Sequence, residues 1–205
     1  MRRPERDVQD GSGVRGFSED EHALSPTYLA QAGTISFGRV EVASLVRIAL
    51  GGAGVARVSL HPSPTGSLHS MLIAQEAGRY WRPKRHLSKS KSFHIVEGSM
   101  LVVIFDDDGK VRGDVVLSPE DQLSVFVSPG TFHTNIALSR VAVHHEVIEG
   151  PFARGETDRE LAPFAPSEED AEAAEVYISG LMSRPGSHLG SVATRVQSGP
   201  RALHD

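Results

Sequence analysis

From Ala56 onward, the chain alternates short runs of β-branched and aliphatic residues with turn residues. These runs predict strands over residues 58–61, 68–75, 92–96, 100–105, 111–117, 123–127, 132–138 and 141–148. Asp108-Gly109 between two of them indicates a hairpin, because glycine readily takes the positive φ that tight turns require. Short strands at this spacing predict an antiparallel sandwich or barrel, which pairs or protects its sheet edges.

The segments on either side of the β region carry helical patterns. Between residues 40 and 50, one helical face carries Val42, Leu45, Val46 and Ala49. Gly51-Gly52 ends this run, and although Val40 and Val42 alternate as in a strand, we favour a short helix. A second helix is predicted to start at Ser167, with acidic residues in its first turn. The apolar stripe expected to dock this helix on the outside of the barrel is Ala174, Tyr177, Ile178 and Leu181.

Length and composition suggest one domain with two tails. Residues 1–24 hold one aromatic side chain, Phe17, and few other apolar residues, so they cannot bury enough surface to offset the entropy of ordering. We expect a mobile N-terminal tail over 1–24, a domain with its flanking helices over 25–182, and a mobile tail over 183–205. A 205-residue chain of this kind is long enough to bury one substantial core.

Charge and residue usage exclude several classes of function. The net charge of −5 argues against nucleic-acid binding, which requires a basic face. The chain has no cysteine, so it has neither disulfides nor thiolate ligands, and this suits a reducing cytosol. No apolar run approaches the roughly 20 residues of a membrane span, and the charged N-terminus lacks the apolar segment of a signal peptide. We therefore expect a cytoplasmic protein without a membrane partner.

Histidines are concentrated in the β region. Seven of the ten lie there: His61, His69, His86, His94, His133, His144 and His145. Because side chains alternate along a strand, Lys84 and His86 share one face, as do His133 and Asn135. If those faces line a barrel, the imidazoles converge on one pocket. His144 and His145 point to opposite faces, so at most one of them enters it.

Residues 57–152 resemble the cupin superfamily, and more closely the WbuC-type cupin-fold metalloproteins, some of which are associated with polysaccharide biosynthesis. The resemblance is carried by His61-Pro-Ser-Pro, Gly78-x-Tyr80, Lys89-Ser-x-Ser-Phe-His94-Ile-Val-Glu-Gly98, Gly130-Thr-Phe-His133 and Gly150-Pro-Phe152. It implies an all-β, antiparallel cupin (jelly-roll) barrel with a central pocket. It also implies a homodimer.

The resemblance places the usual metal ligands of the superfamily at Lys84, His86, Lys91 and His133. Two of these four positions are lysine, and a protonated lysine has no lone pair to donate to a metal and repels a cation. We therefore expect no cofactor. The alternative is one weakly held divalent ion (Fe, Mn, Ni or Zn) on His86 and His133, with a histidine of the last strand replacing a lost ligand.

The pocket residues suggest an enzyme that acts on an anionic small molecule. Two close ammonium groups depress each other's pKa, which yields an amine able to act as base or nucleophile. We assign catalytic roles to Lys84, His86, Lys91 and His133. Binding roles are assigned to Tyr80, Asn135, His145 and Glu146.

Three functions remain open at this stage. The first is an isomerase, epimerase or lyase of sugar or secondary-metabolite biosynthesis with a lost or weakened metal site. The second is a non-catalytic small-molecule-binding or partner cupin, and the third is a metal-dependent oxygenase-type cupin. The scattered arginines, among them Arg57, are expected on a solvated face.

Overall fold

The alternating runs form two β-sheets that pack face to face. A computed structural model describes residues 17–20, 23, 25–30, 34–152 and 158–184. Within these residues the strands are β1 Phe17–Glu19, β2 Thr27–Ala30, β3 Val55–Ser59, β4 Leu68–Glu76, β5 Lys84–His86, β6 Lys91–Glu97, β7 Met100–Phe105, β8 Val111–Leu117, β9 Ser124–Val127, β10 Phe132–Ala137, β11 Val141–Glu149 and β12 Arg159–Leu161. The helices are α1 Arg39–Ile48, which continues into a π-helical turn at Ala49–Ala53, and α2 Ala171–Met182.

The order of strands is that of a jelly roll. One sheet has seven strands in the order β1-β2-β3-β4-β11-β6-β9, and the other has five in the order β12-β5-β10-β7-β8. Every described pairing is antiparallel except that of β2 with β3. The predicted all-β, antiparallel jelly-roll barrel with a helix at each end is therefore confirmed.

Three apolar clusters hold the sheets and helices together. α1 packs Val42 and Leu45 on the outer face of the seven-stranded sheet, where Leu72 is buried. α2 packs Ile178 and Leu181 on the outer face of the five-stranded sheet. The third cluster fills one end of the space between the sheets, with Phe93, Ile95, Met100, Val102, Leu117, Val127, Ala137 and Ala142 at its centre. The other end of that space is lined mostly by polar side chains.

The predicted elements differ from the observed ones mainly at their ends. Strand β3 begins at Val55, three residues before the predicted run, and the predictions omitted the short strands β1, β2, β5 and β12. α2 begins after Asp170, whose carboxylate accepts a hydrogen bond from the Ala173 amide at 3.0 Å, so Ser167 is not its N-cap. The hairpin at Gly109 is observed, with φ at 83°.

Part of the predicted N-terminal tail belongs to the fold. Phe17–Glu19 form β1 and pair with β2. The Phe17 side chain is buried in the apolar cluster beneath α1, and the composition of the tail did not suggest these contacts. The other residues of the two predicted tails lie outside the described residues, apart from 20, 23, 183 and 184. Among the helices that the structure describes, none has the length and apolar character needed to cross a bilayer.

Candidate functional site

The polar end of the barrel contains a cavity of about 470 Å³, within the usual range for small-molecule sites. Strand alternation puts Lys84 and His86 of β5, Lys91 of β6 and Glu146 of β11 on its wall. The other lining residues are Arg57, His69, Met71, Ile148, Phe152 and Arg159. Three of the four predicted catalytic residues therefore meet at one cavity.

Lys91 and Glu146 form an ion pair in the cavity wall. Lys91 Nζ lies 3.4 Å from Glu146 Oε1, and the lysine is only 4% exposed. Burial alone would raise the pKa of Glu146, but Lys91 and Lys84 together lower it to about 2. Glu146 is therefore ionised at neutral pH and neutralises one of the two lysines.

Lys84 is the lysine that remains without a counter-ion. It is half-buried, and its side chain makes no hydrogen bond or ion pair with another described residue. Its Nζ lies 5.9 Å from the centre of the Trp81 ring. Burial and the charge of Lys91 lower the pKa of Lys84 to about 8, against a smaller opposing effect of Glu146. A substantial fraction of this amine is therefore neutral in mildly alkaline solution.

His86 is oriented by a carboxylate. Its Nδ1 donates to Asp158 Oδ2 at 3.1 Å, while the Ser88 amide and hydroxyl donate to Asp158 Oδ1 at 2.8 and 2.5 Å. Burial and the charge of Lys91 lower the pKa of His86 to about 4, although Asp158 opposes this. The imidazole is thus neutral at pH 7, and because Nδ1 carries the proton, Nε2 carries the lone pair.

Two further imidazoles lie inside the barrel. His133 donates from Nδ1 to the Thr131 carbonyl at 2.9 Å, and its Nε2 has no partner among the described residues. Nδ1 of His144 is likewise buried without a described partner. Burial is the main cause that lowers the pKa of His133 to about 3 and that of His144 to about 4. Both rings flank Phe93, and neither residue lines the cavity itself.

The structure places three of the four predicted binding residues away from the cavity lining. Tyr80 lies outside the barrel, where its hydroxyl donates to the Pro166 carbonyl at 2.9 Å. His145 faces outward, with Nε2 2.7 Å from Ser70 Oγ, so His144 is the histidine of this pair that points inward. Asn135 points inward but does not line the cavity.

The position of the Asn135 side chain is explained by its hydrogen bonds. Its side-chain amide donates to Gln75 Oε1 at 2.9 Å, next to the apolar cluster inside the barrel. Gln75 in turn is 1% exposed. This amide pair therefore lies beside Met100 of the apolar cluster and outside the cavity lining.

Sequence reasoning missed Arg57, His69, Asp158 and Arg159 as site residues. Arg57 was expected on a solvated face, but it lies on the interior face of β3, and its Nε is buried without a described partner. Burial lowers the pKa of Arg57, and Glu146 opposes this effect. The predicted strand starts at residue 58 and so excludes Arg57. The alternation that puts Arg57 and Ser59 on the same face of β3 is therefore absent from the prediction. His69 belongs to a predicted strand, but the sequence analysis assigns it no role in the site.

Asp158 and Arg159 had no signal in the sequence. They lie at the start of β12, a three-residue strand that pairs with β5 and was not predicted. This pairing brings Asp158 to His86 and Arg159 to the cavity mouth.

The side chains present do not fit a divalent metal ion. Lys84 and Lys91 carry ammonium groups, Glu146 is engaged by Lys91, and Nδ1 of His86 is engaged by Asp158. Over the described part of the chain, no three His, Asp or Glu side chains are placed to hold a metal ion together. The donor set therefore does not support the weakly held ion that was the alternative for His86 and His133.

Comparison with known proteins gives one family match. The sequence profile of a family described as a domain of unknown function (DUF6016) matches residues 56–117, which is less than a third of the chain. The curated proteins include no match to this chain.

Among solved structures, the capsular polysaccharide assembling protein CapF from Staphylococcus aureus is similar at 13% identity and a TM-score of 0.46, over 53% of this chain and 32% of CapF. The L-ribose isomerase of Cellulomonas parahominis is similar at 15% identity and a TM-score of 0.44, over 60% of this chain and 73% of the isomerase. A cupin-2 domain from Rhodospirillum rubrum has 15% identity and a TM-score of 0.43, over 62% of this chain and 80% of that domain. The chain spans about a third of the length of CapF. Likenesses at this level carry no information about activity.

Proposed function

We propose that the cavity binds an anionic small molecule and that the protein is an enzyme of the isomerase, epimerase or lyase type. The observation that carries this proposal is the excess of positive charge on the cavity wall. Arg57, Lys84 and Lys91 face one carboxylate, Glu146, and Arg159 adds a further cation at the mouth. A carboxylate or phosphate on the ligand would balance this charge through charge-assisted hydrogen bonds.

The neutral imidazole of His86 supports a catalytic role. Isomerases, epimerases and lyases commonly begin by removing a proton from a carbon next to a carbonyl or carboxylate, which requires a positioned base. His86 lies on the cavity wall with Nδ1 held by Asp158, so Nε2 is the basic atom. Asp158 is a positioning residue in this proposal, since it acts through the imidazole.

The cationic wall supports the same chemistry in a second way. Proton removal next to a carboxylate builds negative charge on the ligand oxygens, and fixed cations stabilise that charge in a site sheltered from water. Lys84 and Arg57 lie on opposite sheets, on β5 and β3, and are available for this role. The proposal also includes a role in sugar or secondary-metabolite biosynthesis, which rests only on the sequence resemblance.

A thermal-shift screen tests the proposal. Pyruvate, glucuronate and phosphate should raise the melting temperature of the full chain, whereas glucose, the neutral counterpart of glucuronate, should not. A ligand at 100 times its Kd stabilises a fold by about 2.7 kcal/mol. Lys84→Met should weaken the effect, and Lys110→Met, a change on the exposed β7–β8 hairpin, should leave it unchanged. Absence of any anion effect would refute the proposal.

Turnover separates an enzyme from a binding protein. Ligands that stabilise the chain are followed by proton NMR in deuterated water, where an isomerase or epimerase exchanges the proton that it removes. His86→Gln should abolish this exchange while the anion still stabilises the variant. Stabilisation without exchange in the unmodified chain would instead indicate the non-catalytic binding function.

A further inference from the structure

We propose that the Lys84 side chain forms an imine with the substrate, so that the substrate is a carboxylic acid that also carries an aldehyde or ketone. This inference rests on the proposed function, because it assumes that the cavity takes an anion. It adds a covalent step and a second functional group on the ligand.

Geometry distinguishes Lys84 from Lys91. Both line the cavity, but Lys91 is 4% exposed and its Nζ is held 3.4 Å from Glu146 Oε1. Lys84 is half-buried, and its side chain has no hydrogen bond or ion pair to another described residue. Its amine is therefore the one that is free to approach a ligand.

The environment also favours a nucleophilic form of this amine. Only a neutral amine attacks a carbonyl, and burial together with Lys91 lowers the pKa of Lys84 to about 8. Glu146, which would hold Lys84 protonated, is already engaged by Lys91. Lys91 therefore neutralises the Glu146 carboxylate, and Lys84 is left as the reactive lysine.

Arg57 provides a site for the carboxylate of the substrate. It lies on β3 in the seven-stranded sheet, whereas Lys84 lies on β5 in the five-stranded sheet, so the two residues reach the cavity from opposite sheets. Arg57 Nε is buried without a partner among the described residues. A planar guanidinium binds a carboxylate through two parallel hydrogen bonds, which would satisfy this nitrogen and orient the carbonyl towards Lys84.

The step balances without an oxidant or a reductant. The neutral Lys84 Nζ attacks the carbonyl carbon and forms the C–N bond, while the carbonyl π electrons move to oxygen. His86 Nε2 accepts one proton from the nitrogen and passes it to that oxygen, which becomes a hydroxyl. A second proton, supplied by the solvent, lets the hydroxyl leave as water while the nitrogen lone pair forms C=N and the nitrogen keeps its other proton. The net change is neutral amine, carbonyl and one solvent proton giving protonated imine and water. The protonated imine then withdraws electrons from the neighbouring C–H bond.

Reductive trapping tests the inference. The full chain is incubated with pyruvate, glyoxylate or glucuronate and sodium cyanoborohydride, and the modified lysine is located by peptide mass spectrometry. We expect one adduct, on Lys84. Lys84→Arg keeps the positive charge but forms no imine, so it should lose the adduct and keep most of the thermal stabilisation by the same acids. Lys110→Arg is the matched surface control and should keep the adduct.

The outcomes separate this inference from the proposed function. An adduct on Lys84 that is lost in Lys84→Arg supports the imine. Thermal stabilisation without an adduct for every acid in the panel overturns the imine and leaves the anion site intact. Neither stabilisation nor an adduct overturns both. Labelling that falls on Lys91, or equally on Lys84 and Lys110, also overturns the assignment.

Discussion

Lys91 Nζ lies 3.4 Å from Glu146 Oε1, on adjacent strands of the seven-stranded sheet and on the interior face of the barrel. The lysine side chain is 3% exposed and that of the glutamate 15%. The pair neutralises one cation of the cavity wall before any ligand arrives. The remaining positive charge is carried by Lys84 and the two arginines Arg57 and Arg159.

Breaking this pair should destabilise the fold. Glu146→Gln leaves Lys91 buried without its carboxylate, which costs about 3 kcal/mol or more when one partner of a buried pair is removed. Urea unfolding at neutral pH measures the loss. The double change Glu146→Gln with Lys91→Met should recover part of it, because no uncompensated charge remains inside.

The exposed pair Arg39–Glu97 provides the control. Its atoms lie 3.6 Å apart, with side chains 86% and 46% exposed. Glu97→Gln should therefore change the free energy of unfolding by less than about 1 kcal/mol. Equal losses for Glu146→Gln and Glu97→Gln would show that the pair in the barrel is hydrated in solution.

The buried imidazoles should make the protein sensitive to acid. Burial lowers the pKa of His86 and His144 to about 4 and that of His133 to about 3, from 6.5. Between these values the unfolded chain binds more protons than the folded one, so stability is full above about pH 6.5 and falls as the pH drops. Each histidine contributes a slope of at most about 1.4 kcal/mol per pH unit.

Urea unfolding at pH 7, 6 and 5 checks this linkage. His144→Gln should flatten the dependence on pH by up to one proton, because it removes one buried imidazole. Leu181→Ala is the control: it weakens the packing of α2 on the barrel, so it should lower stability at every pH without changing the slope. A stability that is constant from pH 7 to pH 5 contradicts the neutral, buried state of the three rings.

The fold was predictable because alternation is a strong signal in strands with one apolar face. Phe93, Ile95 and Val127 identify their strands in this way. Strands of three residues give too few positions for such a pattern, so β1, β5 and β12 were missed. Phe17 shows the same limit, since its burial depends on contacts with α1 that local composition does not reveal.

The candidate site was predictable only in part. Lys84, His86 and Lys91 were identified from the resemblance to a known family, and strand alternation supported only the shared face of Lys84 and His86. Parity left His144 and His145 undecided, because which face of β11 points inward depends on its pairing with β4 and β6. Asp158 reaches His86 through a tertiary contact between β12 and β5, which no local pattern encodes. The homodimer and the cytoplasmic location remain predictions.

The contact between Asp158 and His86 should control the proton affinity of the imidazole. Because the hydrogen bond and the charge of Asp158 raise the pKa of His86, Asp158→Asn should lower that pKa further below its present value of about 4. Proton NMR titration of the His86 ring measures the change. Glu160→Gln removes the partner of Arg85 on the same strand and should leave the His86 titration unchanged. An identical His86 titration in Asp158→Asn would show that the contact does not persist in solution.

Replacing the two cavity lysines with metal-binding residues should create a metal site. Lys84 is paired in register with His133 on β10, and His86 follows on the same face of β5. The double change Lys84→His with Lys91→Glu would therefore provide three imidazoles and one carboxylate in the polar half of the barrel, a donor set that suits Zn²⁺ or Co²⁺. Zn²⁺ at 100 times its Kd should then raise the stability of the variant by about 2.7 kcal/mol. Adding His133→Gln should remove most of this effect, because the third imidazole is lost, and the single change Lys84→His should show little of it, because Lys91 still repels the ion. A double variant that zinc does not stabilise would show that these four positions do not converge on one point.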